Sequence, residues 1–145
     1  MSFTLTQDDL SSLSENQKVA IMEALMTGIL ADGKAKPEEI AAFDHQVEAI
    51  PWGIERARLK TLLEDVRHRV LTLKTTEQVV EFVKSLAERL PSPEIREKAF
   101  RGMLAEMVAD DNLTVEEKNI IVLFANAFGL TVERLETIRN DLGKG

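Results

Sequence analysis

The chain has no cysteine and no tyrosine, one tryptophan, and aromatic residues make up only 5% of its 145 positions. Without cysteine there is no disulfide framework, no thiolate nucleophile and no zinc-thiolate site. The sequence has no Gly-x-Ser-x-Gly elbow and no phosphate-cradling glycine loop, so nucleophilic and nucleotide chemistry lack their usual supports. No apolar run approaches the roughly 18–20 residues of a membrane span, and the longest, 120–130, is interrupted by Asn126 and Gly129. The start, Met1-Ser2-Phe3-Thr4, lacks the basic and apolar regions of a secretory signal. Basic residues are also in the minority, 18 against 25 acidic, for a net charge of −7. That balance excludes a clustered phosphate-binding face, so no nucleic-acid partner is expected. A composition of 44% hydrophobic and 30% charged residues reads as one globular, cytoplasmic domain spanning 1–145.

The sequence is rich in helical rhythm. Apolar residues recur at i, i+3, i+4 and i+7 almost throughout, and no stretch alternates with period two long enough to make a strand. Ser14-Glu15-Asn16-Gln17, Thr75-Thr76-Glu77-Gln78 and Thr114-Val115-Glu116-Glu117 have the form of capping boxes. Pro37 and Pro93 suit first helical turns, and Gly129 suits a helix end. Val19, Met22, Met26, Ile29 and Leu30 read as one face of a helix. The expected fold is all-α, a single bundle of about seven helices, with a short additional helix around 7–13.

One acidic phrase occurs twice. Ala31-Asp32-Gly33-Lys34-Ala35-Lys36-Pro37-Glu38-Glu39 recurs 78 residues later as Ala109-Asp110-Asp111-Asn112-Leu113-Thr114-Val115-Glu116-Glu117. Over 24–59 and 102–137, seven of 36 aligned positions are identical, and apolar positions agree as well. We read this as an internal pseudo-twofold duplication, with halves at about 17–59 and 95–140 joined by helices within 54–92.

These turns hold the residues that most resemble chemistry. Asp32 and Asp110 fall near helix C-termini, where the macrodipole disfavours a carboxylate by several tenths to about 1 kcal/mol. Two explanations stand. Acids beside a turn usually accept hydrogen bonds from neighbouring amides, and Glu39 and Glu117 occupy the third helical position used by a capping box. Alternatively Asp32, Glu39, Asp110 and Glu117 together collect a hard cation, calcium or magnesium rather than zinc. The spacing is not that of an EF-hand, since Asp110 and Glu117 are only seven residues apart. His45, whose counterpart is Leu123, reads as partly buried. His68 is flanked by Arg67 and Arg69, and Asp65-x-x-His68 is one imperfect half of a di-iron motif. Trp52 reads as a plug over the core, or otherwise as an anchor for a partner.

An apolar helix followed by Leu30-Ala31-Asp32-Gly33, four residues, Glu38-Glu39 and a second amphipathic helix resembles the TerB-like family (tellurite resistance TerB and the DjlA N-terminal module). The resemblance covers about 17–140, and its second copy departs in having Asp111 where the first has Gly33. It implies an all-α pseudo-twofold bundle in bacterial stress response, tied to tellurite resistance. It also implies divalent-cation binding with Asp32, Glu39, Asp110 and Glu117 at the matching positions. The expected function is therefore a non-enzymatic module acting through contacts with a protein partner and modulated by a cation. The alternatives are a ligand-free scaffold whose acids only cap helices and, last, a metal-dependent hydrolase, for which no base or nucleophile accompanies the acids.

Overall fold

In the computed structural model, the described residues are 5–30, 36–90, 92–108 and 113–143, and they form eight helices with no strand among them. The helices are α1 (Gln7–Ser11), α2 (Glu15–Leu30), α3 (Pro37–Glu48), α4 (Arg56–Leu71), α5 (Thr76–Arg89), α6 (Pro93–Val108), α7 (Val115–Phe128) and α8 (Val132–Gly143). The all-α reading is correct, and the short N-terminal helix brings the count to eight.

Each boundary follows from local chemistry. Thr75 and Gln78 cap each other's amides at α5, at 3.1 and 3.0 Å, and Thr114 and Glu117 do the same at α7, at 3.1 and 3.0 Å. Ser14 and Gln17 open α2 in the same way. Gly129 ends α7 in the left-handed region at φ 73°, where a Cβ would be strained. Arg96 donates to the carbonyls of Ala87 and Leu90, giving the C-terminus of α5 a cation beside its unpaired oxygens.

α2 is the axis of the molecule. It packs against α3, α4, α5 and α6, and every residue from Val19 to Gly28 is buried. This corrects the expectation of a single apolar face, because a helix enclosed by neighbours has no solvent side to reserve for charge. α4 lies along it through Leu59, Leu62, Leu63, Val66 and Val70, and α5 adds Val83, Leu86 and Ala87. Trp52 is 2% exposed, with its indole N–H donating to the Val47 carbonyl at 2.8 Å and Lys18 Nζ donating to its own carbonyl at 2.7 Å. It is a core plug, as its position between two helices implies. α1 is pinned from outside, since Asp9 caps it and also accepts from Lys98 of α6 at 2.6 Å.

Candidate functional site where α2 meets α6

Each copy of the acidic phrase follows a long helix, α2 or α6, and these two helices meet. α2 and α6 pack more extensively on each other than any other pair, and the contact tightens near both C-termini. A Cβ built on Gly28 would lie 2.5 Å from the carbonyl oxygen of Met103 and 3.1 Å from Cβ of Glu106. Gly28 is two residues from the end of α2, and Glu106 two from the end of α6. The glycine thus allows backbone to meet backbone at this point. In sequence, Asp32 follows Leu30, the last residue of α2, by two positions, and Asp110 follows Val108, the last of α6, by two. Asp32 and Asp110 themselves lie outside the described residues.

Glu106, which the sequence reading did not single out, stands at the junction. It is half-buried, and burial is the largest influence on its carboxyl, pushing it above the ordinary value of 4.5. Two helix C-termini, each the negative end of a macrodipole, meet around it.

The other two predicted ligands serve as caps. Glu39 is exposed and accepts from the Lys36 amide at 3.2 Å. Glu117 accepts from the Thr114 amide at 3.0 Å but is only 4% exposed. The two copies therefore give equivalent glutamates different surroundings. Among the described residues, no three His, Asp or Glu side chains come together as a metal-holding group. His45 and His68 are both exposed. For His45 this corrects the expected burial, and it arises because the half-buried Leu123 and the exposed His45 occupy positions that are not equivalent in the fold.

A second feature was missed entirely. Glu23 is 2% exposed in the middle of α2, and Arg89 of α5 donates to its Oε1 at 2.5 Å, with Arg69 of α4 at 3.5 Å. The group floors an open cleft of about 830 Å³ that Val19, Leu62 and Phe82 also line. The signal was legible: Glu23 is the only charge between Val19 and Leu30. Because both guanidiniums are engaged by Glu23, the pair ties α2, α4 and α5 together rather than presenting a free binding group.

Among the described residues no helix is long and apolar enough to cross a membrane. Neither a curated protein nor a solved structure matches the chain. A family model described as tellurite resistance protein TerB matches residues 18–140, a span holding both acidic turns, the α2–α6 junction and the capping boxes of α5 and α7. With that much of its length matched, the chain belongs to the TerB family of tellurite-resistance proteins.

Proposed function

We propose that this TerB-family chain is a non-enzymatic, cytoplasmic stress-response module whose contacts with a protein partner are set by a divalent cation bound between its two acidic turns. The observation that carries this reading is the close crossing of α2 and α6 at Gly28, with the half-buried Glu106 beside it. Two helix C-termini, a partly desolvated carboxylate and the acids of two adjoining turns concentrate negative charge, which oxygen-seeking calcium or magnesium relieves. Asp32 and Asp110 are the primary ligands, with Glu106 as a third oxygen donor. Glu39 and Glu117 hold the first turns of α3 and α7 in place behind them. Bridging the turns fixes the angle between the α2–α3 and α6–α7 pairs, and that angle shapes the surface offered to the partner.

A specific observation favours the ligand-free scaffold as the second reading: Glu39 and Glu117 are both already engaged by backbone amides. Thermal unfolding of metal-stripped protein, with and without calcium, magnesium, manganese or zinc, separates the two. A cation at about 100 times its dissociation constant adds about 2.7 kcal/mol, a rise of several degrees. The proposal expects that rise in wild type and its loss in both Asp32→Ala and Asp110→Ala. A wild-type midpoint indifferent to all four metals assigns the acids to capping alone.

A further inference from the structure

The two halves diverge at their third helix. In the first half α4 lies along α2, sealing it with Leu59, Leu62 and Leu63. The residues 78 positions later on α8 are Thr137, Asn140 and Asp141, which cannot seal anything apolar. α8 is anchored instead by Ile138, fully buried, and is tied to α6 by polar contacts, Arg134 to Glu97 at 2.6 and 2.7 Å and Arg101 to Asp141 at 3.1 Å. The smaller Ile121 also stands where the first half has the buried Phe43. A groove of about 350 Å³ opens in the space so left, walled by Leu104 and Val108 of α6, Ile121 and Val122 of α7, and Val132 and Leu135 of α8. Val122 and Val132 are 57% and 72% exposed on its rim.

The charges at the groove have an unusual sign for this chain. Lys118 and Arg139 line it, both exposed, and neither takes part in an ion pair among the described residues. Glu136 shares the groove without pairing to either. Two unpaired cations against one carboxylate leave the described lining at a net +1 on a protein of net charge −7. The size and the mainly apolar lining with a few polar groups match a small-molecule site.

We propose that this groove binds a single-chain alkyl carboxylate, a free fatty acid of medium length, with its chain against the apolar lining, Leu113 included, and its carboxylate between Lys118 and Arg139. The site requires no metal.

Calorimetric titration with monomeric decanoate tests it. Wild type binds one decanoate saturably, and Lys118→Ala/Arg139→Ala, two exposed changes that leave the core intact, weakens binding about tenfold or more. Decanol, with the chain and no charge, binds about tenfold more weakly than decanoate. Ile121→Phe, which restores the bulk found in the other half, blocks the chain while the protein still melts cooperatively. Absence of saturable binding, equal affinity for decanol, or undiminished affinity in the double variant overturns the proposal. So does sedimentation showing a dimer that Val122→Glu dissociates, since a second copy would then occupy the groove.

Discussion

Replacing Gly28 by alanine sets two effects of known sign against each other. In a helix interior, alanine is favoured over glycine by about 1 kcal/mol, so α2 alone would be strengthened. In this protein the new Cβ would lie 2.5 Å from the Met103 carbonyl oxygen and 3.0 Å from the Met103 Cα. Both are backbone atoms, so no side-chain rotation relieves the clash, and α2 and α6 must move apart along the most extensive interface of the bundle. Overpacking of this kind costs about 1–3 kcal/mol, and more where backbone must shift. Because backbone must shift, the clash falls at about 3 kcal/mol, and with the propensity gain of about 1 kcal/mol subtracted Gly28→Ala should lose about 2 kcal/mol net. For a domain of this size that lowers the melting midpoint by about 6–7 °C. Circular dichroism melts of the two proteins, followed in urea to give the free energy directly, measure it. A Gly28→Ala protein as stable as wild type, or more so, would refute the close crossing and the junction built on it.

Three further substitutions examine separate parts of the account. Glu23→Ala leaves Arg89 facing the core without its partner and should cost about 3 kcal/mol or more in the same melts, whereas loss of an exposed pair such as Arg58–Glu15 should barely move them. Glu106→Gln should raise the midpoint of metal-free protein at pH 7 by about 3 °C, from the order of 1 kcal/mol of relieved burial. Because the folded carboxyl of Glu106 titrates above 4.5, its ionisation cost grows as pH rises through that folded value. The gain in Glu106→Gln should therefore shrink as pH falls towards 4.5, and a gain constant with pH would point to another cause. Trp52→Ala removes a ring 2% exposed and an indole hydrogen bond, and should cost about 3–5 kcal/mol by urea titration.

The helix ends were legible because they are written in neighbouring residues. Thr75 with Gln78 and Thr114 with Glu117 lie three positions apart and bond each other, and Gly129 needs only its own backbone angle. Trp52 was readable from Pro51 and Gly53 on either side. Burial that arises from distant segments was not. Val19 to Gly28 looks amphipathic until four other helices surround it. Glu106 resembles any surface glutamate until Gly28, far away in sequence, brings α2 against it. The repeated phrase was visible, but not the divergence of α8 from α4, which depends on Thr137, Asn140 and Asp141 standing 78 residues after α4 leucines, the last two beyond the aligned stretch. Of the four proposed ligands, Glu39 and Glu117 are caps with unequal burial.

The shared cation at the junction is tested most directly by manganese. Amide spectra of isotope-labelled protein, recorded during substoichiometric addition of this paramagnetic ion, report which residues lie near it. The account predicts that the amides of Leu30, Glu106 and Val108 broaden together, while those of Trp52 and Ile138 stay sharp. Broadening confined to one helix end, or spread evenly over the acidic surface, would contradict a cation held between the two turns.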